Sequence, residues 1–291
     1  MDNKQKVREL NEHTIIRNED TVPVIAFKSF EDIEWIGCGF STRLGGVSKN
    51  EFSTMNMSFA RGDDPEDVHE NIRRFSASAG FDPKGIVMPH QCHTINVEIV
   101  GKNDAGRGVY KSGTEEEIDG QITNEPGVVL YCLGADCVPV FLVDTVKRVV
   151  AAVHAGWKGT LNNIVYACIK KMKLEFGTEA ENIRAVIGPS ICGNCYEVSP
   201  DVAIPFMEKY GEAKIESENI VKKAEPFDPE NPKFFLNLWT ANKENLIMSG
   251  VKKENIEISG YCTRCHPDML FSHRYHGDKR GGHIGYIFFS N

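Results

Sequence analysis

A cysteine and a histidine stand at matching ends of two apolar runs. Cys137 follows "GAD" and opens "CVPVFLV", while His154 closes "RVVAAVH" and is followed by "AGWKG". The runs are joined through "DTVK" and read as a buried hairpin. An even loop centred on Thr145 and Val146 sets Leu142 opposite Val149, Val140 opposite Ala151, and Cys137 opposite His154. Residues directly opposite share one sheet face, with Cβ atoms about 4.5–5.5 Å apart. Thr-Val is a poor pair for a tight turn, so a four-residue loop is expected. An odd loop or a bulge breaks this pairing. Pro139 places its strand near an edge or at a bulge.

A thiol beside an imidazole supports two chemistries. A thiolate activated by imidazole is a nucleophile. The same two groups are zinc ligands, and a third ligand leaves one position for water. His93, in "HQCHT", is the third candidate. The plainer reading of the pair alone is a hydrogen-bonded core histidine and a small buried thiol. The segments "GAD" and "AGWKG" let backbone approach closely at the same end of the hairpin, which favours a site. Cys192 and Cys195 in "CGNC", and Cys262 and Cys265 in "CTRC", have the spacing of structural zinc sites built from four cysteines. Nothing local requires these two pairs to meet.

The elements that must position these residues follow from periodicity. "TVPVIAF" and "WIGCGFSTR" read as early strands. Over 66–79, Val68, Ile72, Phe75 and Ala79 recur at helical spacing, and Gly80 can end the helix. "IVMPHQCHTINVEIV" carries strand-like alternation around His93; if His93 points inward from a strand, Cys92 points to the other face. "VVLYC", "VPVFLV" and "VVAAVH" are three strands in succession. Residues 160–176 predict one helix, with Thr160 as N-cap and Gly177 as C-cap. "IRAVIG", "IEISG" and "GYIFFS" are later strands, with a helix near 239–249 and a surface loop near 225–235. Tight hairpins mixed with helical crossovers favour an α+β architecture over a regular doubly wound one. "VPVFLV" and "VVAAV" are apolar on both faces, so their sheet should be covered on both sides.

The chain has 291 residues, 41% hydrophobic and 25% charged, which is ordinary for a globular protein. A single domain over 1–291 is expected, with residues 1–20 as an N-terminal extension. The net charge of −8 argues against nucleic-acid or membrane-surface binding, though a local basic pocket for a small anion is compatible with it. No apolar run approaches the roughly 20 residues needed to cross a bilayer. "MDNKQKVRELNEHTII" has no apolar signal core, so a cytoplasmic location is expected. In a reducing compartment the nine cysteines are better read as buried thiols or metal ligands than as disulfides.

"GADCVPVFLVD", "AAVHAGWKGT", "GPSICGNCYEV" and "FSTRLGGVS" resemble the purine nucleoside phosphorylase family long described as a multicopper polyphenol oxidoreductase, or laccase, domain. The likeness runs from about Phe40 to the C-terminus. It implies one α+β domain with mixed sheets in a layered sandwich and flanking helices, related to a bacterial toxin deamidase fold. It implies a zinc site made of His93, Cys137 and His154. It also implies phosphorolysis of adenosine, inosine, guanosine and S-methyl-5'-thioadenosine, together with adenosine deamination. Purine nucleosides and inorganic phosphate are thus the expected partners.

Arg43, in "STRLGGVS", matches the family's arginine in that loop. Lys158 replaces the commoner arginine of the "HAGW" motif, keeping the charge but losing the bidentate fork. In "FSHRYHGDKRGGH", Tyr275 stands where many members carry a second arginine, so anion binding there rests on Arg274 and Arg280. Gln91 and Asp136 complete the expected phosphate- and substrate-binding set. Asp136 and the other histidines are candidates for the acid that protonates a leaving group. His266, His273, His276 and His283 cluster in sequence and are expected at the surface or around the pocket.

Three other functions compete. The family's older name suggests a copper-dependent phenol oxidase, but three such ligands make one site, not the several coppers of a four-electron oxidase. Cys137 and His154 also suit a metal-free cysteine hydrolase. A non-catalytic metal-binding protein is the fourth reading. The sequence leaves the oligomeric state open.

Overall fold

A computed structural model describes residues 7–290. Its early strands are β1 (Val7–Glu9), β2 (Thr14–Arg17), β3 (Val24–Phe27), β4 (Ile36–Ser41), β5 (Ile86–Val87) and β6 (Val97–Ile99). β7 (Gly120–Thr123), β8 (Val129–Gly134), β9 (Val138–Asp144), β10 (Val149–Ala155) and β11 (Ile183–Ile187) follow. The last are β12 (Glu197–Val198), β13 (Val221–Lys223), β14 (Phe234–Leu236), β15 (Ile256–Ile258) and β16 (His283–Phe289). The helices are α1 (Pro65–Ala79), α2 (Trp157–Leu161), α3 (Ile164–Phe176), α4 (Pro200–Tyr210), α5 (Glu212–Glu218), α6 (Leu238–Met248) and α7 (His273–His276).

Seven strands form one sheet in the order β1-β2-β3-β4-β16-β8-β5, and six form a second in the order β15-β11-β9-β10-β7-β6. A small third sheet runs β12-β14-β13. Both large sheets are mixed: β5 runs parallel to β8, β6 to β7, and β15 to β11. The two stack face to face. Phe141, Val143, Val150 and Ala152 of the six-stranded sheet meet Phe27, Leu130 and Ile287 of the seven-stranded one. The opposite side chains of the same strands, Val140, Leu142, Ala151 and Val153, pack on Val165, Cys168 and Met172 of α3. On the far side, Val68, Ile72 and Phe75 of α1 cover Val129, Tyr131 and Tyr286. This is the α+β layered sandwich that the doubly apolar strands required.

Several local expectations need correction. Within the stretch 1–20, expected as an extension, residues from Val7 onward supply β1 and β2 to the seven-stranded sheet. The helix expected over 160–176 is two helices. Asn163 adopts a left-handed φ of 59° and caps α3 through a bond from Tyr166 N–H. Thr160 is no N-cap; its hydroxyl donates to Ala155 O at 3.1 Å and accepts from Asn242 at 2.9 Å. The loop near 225–235 ends earlier than expected, because Phe234 pairs in β14. His93 lies on no strand: only residues 86–87 and 97–99 of that region are extended in a sheet.

The hairpin register also moves. The loop is residues 145–148, closed by Arg148 at φ 54°. The Asp144 carboxylate accepts from Val146 and Lys147 N–H, both at 2.9 Å, and so takes Asp144 into the last pair before the turn. His154 therefore faces Pro139, not Cys137. A shift of two residues preserves the face, so Cys137 and His154 still project to the same side. β9 is an interior strand, not an edge. Pro139 is tolerated because β11 stops pairing at Val140.

Candidate metal centre and active site

Beyond the end of β9 and β10, three side chains converge. The ligand atoms of His93, Cys137 and His154 lie within 4.8 Å of one another. Cys137 Sγ is 3.7 Å from His93 Nε2, and the two imidazole rings stand nearly edge to face at 4.9 Å. His154 is buried at the end of β10, whereas His93 is exposed on the loop between β5 and β6. Gly156 makes room for them. A Cβ there would sit 2.7 Å from His93 Cδ2 and 3.3 Å from Cys137 Sγ.

The geometry depends on Asp119, which no motif or spacing singles out. Its carboxylate is fully buried and accepts backbone bonds from Cys92, His93 and Thr94 at 3.2, 3.0 and 2.7 Å. It also accepts from the Thr94 hydroxyl at 2.9 Å and bonds His154 Nδ1 at 2.7 Å. These bonds explain how His93 is held at a left-handed φ of 63°. They also commit Nδ1 of His154, leaving Nε2 for the cluster. The signal available in sequence was the "DG" at the start of β7, which reads only as a turn.

Electrostatics follow the geometry. Burial pushes the Asp119 carboxyl up, but the His154 and Thr94 bonds and the His154 charge hold it at about 2. Burial also pushes the Cys137 thiol up; the His154 charge and the bonds from His154 and His93 outweigh it and bring the thiol to about 6. Burial lowers His154, yet the Cys137 thiolate and Asp119 raise it to about 9. Without metal, Cys137 and His154 thus form a thiolate–imidazolium pair at neutral pH. Two imidazoles and a soft thiolate, with a gap beside a residue lacking Cβ, suit a borderline-soft metal.

The cluster lies on the wall of a cavity of about 610 Å³. Phe59, Met88, Trp157, Tyr196 and Leu238 give it flat and apolar surfaces. Arg280 is the notable polar group. It is 5% exposed, donates to Gly281 O at 2.9 Å, and leaves its buried Nε without a partner. Among the described residues no carboxylate forms an ion pair with it or with Arg61, which also lines the cavity. Burial and then the Arg61 charge lower Arg280 to about 10.

The other expected residues divide. Gln91, Asp136 and Arg274 line the cavity. The Gln91 amide is engaged with Leu133, donating to its O at 2.8 Å and accepting from its N–H at 2.7 Å. Asp136 accepts from the Thr263 hydroxyl at 2.6 Å and from Arg274 N–H at 2.7 Å. Arg274 reaches outward to Glu197 O and lies over the Tyr196 ring. Arg43 and Lys158 do not line the cavity. Arg43 donates to Ser53 O and Pro267 O and bonds His276, because its half-buried guanidinium needs those partners. Lys158 is exposed, 5.6 Å above the Trp157 ring. Of the four later histidines, His273 lines the cavity, His276 meets Arg43, and His266 stacks on Tyr261. His283, expected at the surface or around the pocket, is instead buried in β16, outside the cavity lining, and accepts from Phe271 N–H.

The fold and this cluster define a layered α+β protein in which three potential metal ligands and a buried arginine line one cavity. The family described as "Multi-copper polyphenol oxidoreductase laccase" matches residues 37–290, and the chain belongs to it. Purine nucleoside phosphorylase YlmD of Bacillus subtilis is 34% identical over 86% of this chain and 87% of its own. Adenosine deaminase RL5, from an unknown prokaryotic organism, is 32% identical over 87% of this chain and 93% of its own. Purine nucleoside phosphorylase LACC1 of Mus musculus is 32% identical over 86% of this chain but 54% of its own, so the chain spans about half its length. The crystal structure of YlmD from Geobacillus stearothermophilus superposes with a TM-score of 0.82 at 27% identity, covering 99% of this chain and all of that one.

Proposed function

We propose that this chain, as a single domain over 1–291, is a zinc-dependent purine nucleoside phosphorylase that also deaminates adenosine. The observation that carries the reading is that the His93–Cys137–His154 cluster shares one cavity with the buried guanidinium of Arg280, which forms no ion pair among the described residues and leaves its Nε without a partner. The names of the relatives agree with it. A buried cation without a counter-charge is costly unless a ligand supplies the charge. Inorganic phosphate does so, and Arg280 with Arg61 can hold it by charged hydrogen bonds. The flat apolar surfaces of Phe59, Trp157 and Tyr196 suit a purine ring. Asp136 has carboxylate lone pairs beyond those taken by Thr263 and Arg274, available to a ribose hydroxyl.

The donor set fits zinc, held by His93, Cys137 and His154. Zinc with three protein ligands keeps a fourth position and lowers the pKa of a bound water to about 7. Asp119 fixes the His154 ring and the His93 loop around that position. Arg280 and Arg61 hold the phosphate whose oxygen bonds the anomeric carbon as the bond from that carbon to the purine nitrogen breaks; the purine leaves with the bonding pair and takes up a proton from solvent. Arg43 acts as a positioning residue: it ties Pro267 and His276 to the loop after β4. Arg274 and Gln91 shape the wall, and Lys158 has no assigned contact with substrate.

The test is turnover by protein of known metal content. Inosine should yield hypoxanthine only when phosphate is present, and adenosine should yield inosine without it. Chelation should remove both activities and zinc should restore them. Copper with phenol turnover, thiol-dependent hydrolysis without metal, or metal with no nucleoside turnover would each overturn the proposal.

A further inference from the structure

Away from that cluster, the two Cys-x-x-Cys segments meet. The Sγ atoms of Cys192, Cys195, Cys262 and Cys265 all lie within 4.8 Å of one another. Four thiolates about 2.3 Å from one tetrahedral zinc stand roughly 3.8 Å apart, so the cluster has the size of a single-ion site. Cys195 and Cys265 sulfurs are 3.5 Å apart, far beyond the roughly 2.05 Å of a disulfide, and all four thiols are free.

The backbone builds this convergence. Ser190 N–H donates to Tyr261 O at 3.3 Å, and Thr263 N–H donates to Ser190 O at 3.1 Å, which aligns the two segments. Cys195 and Tyr196 N–H both donate to Cys192 O, closing a tight turn that turns both sulfurs one way. Cys192 N–H donates to Cys262 Sγ at 3.3 Å. The Arg264 guanidinium lies near Cys195, Cys262 and Cys265, and its charge offsets part of the negative charge of four thiolates.

We propose that Cys192, Cys195, Cys262 and Cys265 bind a structural zinc ion that clamps one wall of the cavity. The flanking residues Ile191 and Tyr196 both line that cavity. Ile191 N–H donates to Asp136 O at 3.0 Å, and the Thr263 hydroxyl donates to the Asp136 carboxylate. The clamp therefore grips Asp136 from both segments, one residue before Cys137. Four cysteines close the coordination sphere and leave no position for water, so this ion holds structure and does no chemistry.

The experiment separates the two clusters. Cys137→Ser protein, purified without added metal, should keep about one zinc equivalent that dissociates slowly to chelator. Cys265→Ser, at an exposed position that tolerates change, should hold about one equivalent less than wild type. Cobalt loaded into Cys137→Ser should give the intense visible bands of a tetrahedral thiolate complex, and adding Cys265→Ser should abolish them. Three results overturn the proposal: folded Cys137→Ser with neither zinc nor cobalt bands, iron in place of zinc, or a Cys195–Cys265 disulfide in protein kept under reducing conditions. None of them bears on nucleoside turnover.

Discussion

His154 Nδ1 lies 2.7 Å from Asp119 Oδ1, and the same carboxylate holds the backbone of the loop that carries His93. One buried side chain thus sets both imidazoles before any metal arrives. Asp119→Asn keeps the volume but removes the charge and turns one acceptor into a donor. Loss of such a partner weakens metal affinity by about 10–100-fold. Competition with a zinc chelator should show this loss at the His93–Cys137–His154 cluster. Unchanged affinity would mean that the ring is oriented by something else.

Cys137 should be a thiolate at neutral pH in metal-free protein. Its thiol is brought to about 6 because the His154 charge and the imidazole bonds outweigh burial. A thiol reacts with iodoacetamide only after losing its proton, so the rate should rise with pH around a midpoint near 6. A free cysteine titrates near 8.5, and that midpoint would refute the thiolate–imidazolium pair. Zinc should protect Cys137 from alkylation at every pH.

Asp119 also makes stability depend on acid. Its folded value of about 2 lies below the ordinary aspartate value of about 3.9. A depressed carboxyl contributes stability that is fully present above the unfolded value and is lost as pH falls through the folded one. Thermal unfolding of metal-free protein should therefore steepen its decline between about pH 4 and 2. Asp119→Asn should flatten that window. An identical acid limb in both proteins would remove Asp119 from the account.

Arg280→Met should separate function from stability. A hydrogen bond to a charged group contributes about 1.5–3 kcal/mol, so apparent phosphate affinity should fall roughly tenfold to a hundredfold. Adenosine deamination without phosphate should suffer less. In phosphate-free buffer the variant should melt at an equal or higher temperature, because a buried unpaired charge is gone. Arg43→Ala, by contrast, should reduce both reactions together, since Arg43 does not line the cavity and bonds Ser53 O, Pro267 O and His276. A phosphate dependence unchanged in Arg280→Met would clear it of any anion role.

Gly156→Ala tests the space itself. The added Cβ meets His93 Cδ2 at 2.7 Å and Cys137 Sγ at 3.3 Å. His93 is on an exposed loop and can yield, so the chain should fold with near-native circular dichroism. The ligand triangle should not close, and zinc affinity should fall at least tenfold. Full zinc binding by Gly156→Ala would show that the cluster is looser than its geometry implies.

Much of this was legible in residue order, for identifiable reasons. The doubly apolar runs of β9 and β10 specified a sheet buried on both faces, and the parity of their hairpin placed Cys137 and His154 on one side. The exact register was not legible, because the Asp144 side chain, acting on Val146 and Lys147, chose the turn. His93 could be nominated by type but not placed, since its left-handed backbone depends on a carboxylate distant in sequence. Asp119 and Arg61 were invisible for the same reason: each matters only through partners brought by other strands and loops. Arg43 shows the converse case. Its loop matched a family motif, but the guanidinium is used up in holding neighbouring carbonyls.

The chain divides its labour between two kinds of scaffold. Asp119, Cys137 and His154 lie on or at the margins of β7, β9 and β10 in the six-stranded sheet. Phe59, Tyr196 and Leu238, which shape the cavity, come from segments outside that sheet. Substitutions in those segments can reshape what enters without moving the ligand triangle. A change at Gly156 or Asp119, by contrast, acts directly on the ligand triangle, because Gly156 abuts His93 and Cys137 and Asp119 holds the His93 loop and His154.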